Sequence, residues 1–214
     1  MNNDAIIFFE KMSNKQNVDQ NTVKLVKKND FTELDKEFIL QYCSPDSTIL
    51  ELGAGTGLIT NKLKNHVKYI EAIEPFKKFS DFIEKSNNIN IINTTSQDYT
   101  IEQQFDIILC FGFCHYFNEH EVKDFYKKFY NALKPNGIII VKNQFGVNTD
   151  VTIDGAFSEE LKTNYFSQYR TLAKEKDILT SCGYNNIMNY NIYPDEYNRW
   201  DNTHFYAIIA HKNI

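Results

Sequence analysis

The sequence predicts an α/β fold: a mostly parallel sheet of seven strands, helices on both faces, and an antiparallel strand pair at the C-terminus. Three observations predict it. From Thr48 onward, short β-branched or apolar runs alternate with helical patterns, the order that builds a parallel sheet through crossover connections. A glycine-rich turn follows the first of these runs. The last two extended runs have no helical pattern between them, so they can pair only as an antiparallel unit at the sheet edge.

Residues 1–44 read as mainly helical, a cap or lid before the sheet, and residues 45–214 as one globular unit. TILEL (Thr48–Leu52) reads as a buried strand, and TGLITNKLKNH opens a helix. YIEAIE (Tyr69–Glu74) is the second strand, with Pro75 suited to the first turn of the next helix. INIINTT (Ile89–Thr95) and FDIILCF (Phe105–Phe111) are the third and fourth. Asn118 with Glu121 is a capping signature, and Val122, Phe125, Phe129 and Leu133 share one helical face. That helix stops at Pro135-Asn136-Gly137, and GIIIVKN (Gly137–Asn143) is the fifth strand. Gln144–Gln168 reads as a long connection before a helix near Tyr169–Ser181. NNIMNYNIY and HFYAIIAHK then form the terminal pair, joined by a loop containing Pro194 and Trp200.

With 214 residues, 42% of them hydrophobic, the chain can bury a single core. No run approaches the roughly 18 apolar residues of a membrane span. The opening MNNDAIIFFEKM lacks the basic and apolar regions of a secretory signal, so a cytoplasmic location is expected. The net charge of −5 argues against a nucleic-acid partner. Cys43, Cys110, Cys114 and Cys182 lack metal-site spacing and read as buried free thiols.

The strongest chemical signal is ILELGAGTGLIT (Ile49–Thr60). Gly53, Gly55 and Gly57 follow the acidic Glu51 at the carboxyl end of the first strand, where open α/β sheets bind ligands. A dinucleotide fingerprint would require glycine where Leu58 stands, and Glu51 suits a cationic ligand better than a pyrophosphate. Glu74 closes the second strand 23 residues after Glu51, close to the spacing of a ribose-binding acid. SQDY (Ser96–Tyr99) follows the third strand and offers Asp98 to an adenine amino group.

Together these segments resemble the class I S-adenosylmethionine-dependent methyltransferases, over about Thr48 to Asn143. The resemblance implies a Rossmann-like sheet whose terminal strand pair completes seven strands, S-adenosylmethionine as methyl donor, and S-adenosylhomocysteine as product. It implies that Glu51, Gly53, Ala54, Gly55 and Gly57 hold the methionine half. Glu74 and Pro75 would meet the ribose, and Gln97 and Asp98 the adenine. Cys110, Phe111 and Gly112 would face the cofactor near the transferred methyl.

The acceptor is read from the end of the fourth strand. CFGF stands where amino-methylating enzymes of nucleobases carry Asp or Asn before Pro-Pro and an aromatic residue. Neither Cys110 nor Cys114 follows proline, as a cytosine C5 nucleophile would, and no Asp ends the strand as in metal-dependent catechol-type enzymes. No metal is expected. His115 is the candidate general base, because a neutral imidazole can take a hydroxyl proton near pH 7; the alternative is a loop-ordering role. Tyr116, Asn143, Tyr165, Tyr169 and Arg170 complete the candidate acceptor site, with Arg170 either binding an anionic group or making a structural salt bridge.

The expected function is methyl transfer to a small molecule, first to oxygen, as in natural-product, sugar or surface-glycan intermediates. The alternative is protein methylation, because SQDY through LKPNGIIIVKN, with PDEY (Pro194–Tyr197), is similar to enzymes acting on protein α-amino groups. Those enzymes carry Lys-Asp-Asn where this chain has Lys142-Asn143-Gln144, and several tryptophans where it has Trp200. A cofactor-binding protein without catalysis is the third possibility.

Overall fold

The computed structural model describes residues 3–23, 31–194 and 201–213. Trp200 and residues 195–197 of the PDEY segment lie outside the described residues. Two helices, α1 (Asn3–Ser13) and α2 (Thr32–Leu40), precede β1 (Thr48–Leu52). There follow α3 (Thr60–Leu63), β2 (Tyr69–Ile73), α4 (Lys77–Ser80), β3 (Ile89–Ile92) and β4 (Phe105–Phe111). A 3-10 turn at Cys114–Tyr116 leads to α5 (Glu119–Asn131) and β5 (Leu133–Gly146). The chain closes with β6 (Val151–Ser158), β7 (Thr163–Tyr169), α6 (Leu172–Ser181), β8 (Asn185–Tyr190) and β9 (Thr203–His211).

Seven strands form one sheet in the order β3-β2-β1-β4-β5-β9-β8. β1 through β5 run parallel, while β9 is antiparallel to both β5 and β8. The chain moves outward from β1 to β3 and then returns to place β4 on the other side of β1. This reversal opens a crevice between the carboxyl ends of β1 and β4.

Side-chain alternation along the strands sorts the core into two layers. Leu50, Leu52, Ile108, Cys110, Ile139 and Val141 point toward α5 and α6. Ile49, Ile107, Leu109, Ile138 and Ile140 point the other way, where Phe38 and Ile39 of α2 and Leu63 of α3 cover them. α5 buries Val122, Phe125, Tyr126 and Phe129 on one face, each large side chain contributing on the order of 1.5–3 kcal/mol of transfer free energy. Its N-terminus carries the full reciprocal cap, Asn118 accepting from the Glu121 amide and Glu121 from the Asn118 amide.

Five differences from the sequence reading follow, most of them with local causes. β2 ends at Ile73, one residue early, because the Glu74 carboxylate accepts from nearby backbone amides. β3 ends at Ile92. β5 is longer at both ends: Leu133 already pairs with Phe105, Asn136 takes a left-handed turn at φ 61°, and β9 keeps pairing as far as Gly146. The long connection after β5 contains an antiparallel hairpin, β6 with β7, bent by a register shift beside Gly155 at φ 70°. The following helix starts at Leu172, capped by the Thr171 hydroxyl, which accepts from the Lys174 amide.

Candidate active site

A cavity of about 300 Å³ occupies the crevice at the carboxyl ends of the central strands. Its floor comes from β1, β2, β4 and β5, and the N-terminal segment contributes Phe9, Val23, Phe31, Thr32 and Asp35 to its wall. That segment is tied down on several sides. Phe9 meets Tyr116 edge-on at 5.1 Å, Phe8 meets Tyr165 at 5.2 Å, and Thr56 Oγ1 donates to the Gln20 carbonyl at 2.6 Å.

Of the residues expected at the donor side, Glu51, Gly53, Ala54, Gly55, Glu74, Pro75, Gln97, Phe111 and Gly112 line this cavity. Gly53 and Gly55 have φ of 71° and 55°, so the backbone turns left-handed, where a Cβ is disfavoured. Glu74 is buried, with Oε2 accepting from the Gly55 amide at 2.9 Å and Oε1 from the Phe76 amide at 2.9 Å. Burial pushes its carboxyl up to about 7, against those two hydrogen bonds. Burial likewise pushes Glu51 up to about 7, with its hydrogen bond from Thr60 opposing and the nearby Asp35 and Glu74 adding to the shift. Two desolvated acids in one cavity favour a cationic guest, which would restore the ionised form. An adenosyl sulfonium with an α-ammonium group and two ribose hydroxyls fits this donor set.

Three expected donor-side residues fall elsewhere. Cys110 is fully buried against α5, because successive side chains of β4 face opposite layers and it is Phe111 that faces the cavity. Asp98 is exposed and accepts from Thr95 Oγ1 at 2.7 Å, leaving Thr95, Ser96 and Gln97 to line the pocket. Gly57 serves packing: a Cβ there would sit 2.7 Å from Ile83 Cγ1.

On the acceptor side, His115, Tyr116 and Tyr169 line the cavity, whereas Asn143, Tyr165 and Arg170 stand behind it. Asn143 is buried with Oδ1 3.1 Å from His115 Nδ1. Tyr165 packs its ring against Tyr116 at 6.0 Å. Arg170 is 2% exposed and does not line the cavity. Its Nε donates to Glu175 Oε2 at 2.5 Å, Nη1 to the Phe117 carbonyl at 2.7 Å and Nη2 to the Cys114 carbonyl at 3.0 Å. The guanidinium therefore clamps both ends of the turn that carries His115. His115 also stacks on Tyr169, with centroids 5.3 Å apart and planes at 23°.

Sequence reasoning missed a polar cluster in the same cavity. Lys142 Nζ donates to Asp35 Oδ2 at 2.7 Å and to Tyr193 Oη at 2.6 Å, and Tyr193 donates to Asp35 Oδ1 at 2.5 Å. The ammonium also lies 4.9 Å from the Phe111 ring centroid. These residues come from α2, β5 and the segment after β8. Nothing in their local sequence marks them as neighbours, although Lys142 amid the apolar residues of a predicted central strand was a visible anomaly.

Comparison with known proteins agrees with this geometry. Residues 49–137 match the family described as methyltransferase domain. A Staphylococcus carnosus protein described as an uncharacterized methyltransferase is 24% identical over 150 residues, covering 65% of this chain and 71% of that one. The structure of DhpI in complex with S-adenosylhomocysteine superposes with a TM-score of 0.74 at 13% identity, covering 98% of this chain and 97% of the other. A 1,6-didemethyltoxoflavin N1-methyltransferase of Burkholderia thailandensis, solved with 1,6-didemethyltoxoflavin and S-adenosylhomocysteine, gives 0.65 at 12% identity over 86% and 77%. At such identities the structural likeness is one of fold. Together with the match of residues 49–137 to a methyltransferase domain, it supports a place among the class I S-adenosylmethionine-dependent methyltransferases. Among the described residues no helix is long and apolar enough to cross a membrane.

Proposed function

We propose that the protein transfers a methyl group from S-adenosylmethionine to a hydroxyl of a small molecule, with His115 as general base. The observation that carries this reading is the pairing of His115 with Asn143 at the wall of the cavity. Asn143 Oδ1 is an acceptor, so it selects the tautomer with hydrogen on Nδ1 and leaves the lone pair on Nε2. A Nε2 lone pair is what taking a hydroxyl proton requires.

S-adenosylmethionine supplies an electrophilic methyl on a sulfonium. Glu51 and Glu74 are the residues proposed to hold its cationic and ribose parts, with Thr95, Ser96 and Gln97 beside the adenine. The surrounding rings of Phe9, Phe111, Tyr116 and Phe205 exclude water and confine the acceptor, which favours alignment of the reacting groups. As the acceptor oxygen gains its methyl, its proton passes to His115 Nε2. The small cavity and its N-terminal wall support a small acceptor, as does the small heterocycle bound in the Burkholderia enzyme.

The test is transfer of label from methyl-labelled S-adenosylmethionine in a cell extract, with the small-molecule and protein fractions counted separately. Label in the small-molecule fraction, lost with His115→Ala, is expected. Label confined to protein would replace this reading by α-amino or other protein methylation.

A further inference from the structure

The acceptor wall contains one polar group that the fold leaves unused. Gln144 is 3% exposed and lines the cavity. Its Nε2 donates to Thr203 Oγ1 at 2.6 Å, while its Oε1 has no hydrogen-bond partner among the described residues. A buried amide oxygen without a donor is costly, so native structures rarely keep one without a use. Gln144 stands two residues beyond Lys142 on β5, so both side chains leave the same face of the strand. Its cross-strand partner Phe205 lines the cavity as well.

The charges around it restrict what can bind. Lys142 is the single Lys or Arg among the described residues lining the cavity. Asp35 already compensates it, and the ion-paired side chains are 13% and 3% exposed. An acceptor carboxylate or phosphate would find no uncompensated cation there, and it would share the cavity with Asp35, Glu51 and Glu74. A cationic acceptor would have to approach the donor's sulfonium, the cationic guest that Glu51 and Glu74 favour, and the Lys142 ammonium as well. What Gln144 Oε1 lacks is a hydrogen-bond donor.

We propose that Gln144 sets acceptor specificity: its amide oxygen takes a hydrogen bond from an O–H or N–H of an uncharged acceptor whose reacting hydroxyl faces His115. The acceptor class is thus a neutral molecule with at least two donor groups, flat or apolar enough to lie between Phe9, Tyr116 and Phe205. This inference rests on the reading of the cavity as a methyl-acceptor pocket.

The experiment uses the full chain loaded with S-adenosylhomocysteine, whose uptake is first measured by calorimetry. Two neutral compounds, resorcinol and 3-hydroxybenzamide, and two anionic ones, 3-hydroxybenzoate and phenyl phosphate, are then titrated by ligand-observed NMR. The neutral pair is expected to bind at least tenfold tighter than the anionic pair. In Gln144→Met the neutral pair should weaken about tenfold, with uptake of S-adenosylhomocysteine unchanged. Equal binding of both pairs, no binding of the neutral pair, or unchanged binding in a folded Gln144→Met would overturn the inference. The neutral-against-anionic comparison stands on the parent protein even if the variant misfolds. Failure to take up S-adenosylhomocysteine would instead defeat the methyltransferase reading itself.

Discussion

His115 Nδ1 lies 3.1 Å from Asn143 Oδ1, so the orientation of the candidate base is decided by a residue that does not itself line the cavity. If His115 takes the acceptor proton, His115→Ala should lower turnover by roughly 10²–10⁴-fold with little change in affinity for S-adenosylhomocysteine. Asn143→Leu should lower turnover less and move the acidic limb of its pH profile. A loss below about tenfold for His115→Ala, short of the usual range for a general base, would return His115 to a loop-ordering role.

The buried Arg170–Glu175 pair makes the opposite prediction. Removing one partner of a buried ion pair costs about 3–5 kcal/mol because the other charge is left without compensation. Arg170→Met should therefore lower the free energy of unfolding by about that much, and Arg170→Met combined with Glu175→Leu should cost less than either change alone. Denaturant titrations of the three variants measure this. Unchanged stability in Arg170→Met would restore an acceptor-binding role.

Glu51 and Glu74 set the response to pH. Both are raised by burial to about 7 from 4.5, so between these values the folded state holds more protons than the unfolded one. Their contribution to stability is therefore present at low pH, declines as pH rises above about 4.5, and is lost beyond about 7. A cationic guest reverses the preference by favouring the ionised acids. The thermal shift produced by S-adenosylmethionine should be larger at pH 8 than at pH 6. Affinity should rise by at most about tenfold per pH unit for each group, and Glu51→Gln should flatten the trend. A shift that shrinks toward pH 8 would contradict this assignment.

Two glycines separate backbone strain from packing. Gly112 has φ 73° with nothing within 4 Å of an added Cβ, whereas at Gly57, φ 75°, a Cβ would meet Ile83 Cγ1 at 2.7 Å. Gly112→Ala should cost only the left-handed penalty, about 1–2 kcal/mol. Gly57→Ala should cost more by an overpacking increment of about 1–3 kcal/mol. Equal losses in thermal or chemical unfolding would refute the packing role of Gly57.

The first five strands, the capped α5 and the terminal pair were legible because their signals are local. The short apolar runs TILEL and FDIILCF, the Asn118–Glu121 box and the glycine turn each specify a conformation within a few residues. The donor side was legible for the same reason, since Glu51 lies one residue before the end of β1 and Glu74 directly follows β2, the adjacent strand. What the sequence left wrong or open lies where tertiary placement decides. Cys110 and Phe111 differ by one residue, and only the facing of β4 sends the thiol into the core. Arg170 reads the same whether its partner is a ligand or Glu175, five residues away. The cluster of Asp35, Lys142 and Tyr193 joins residues 107 and 158 positions apart, beyond the reach of any local pattern. The β6–β7 hairpin escaped because the shift beside Gly155 breaks its alternation.

Calorimetric titration of S-adenosylhomocysteine into the purified protein and into Glu74→Ala bears most directly on the whole account. Saturable binding at one site per chain, lost or strongly weakened in the variant, is the predicted result. Absence of heat with the parent protein, or identical isotherms for the two, would mean that the crevice between β1 and β4 does not hold an adenosyl group.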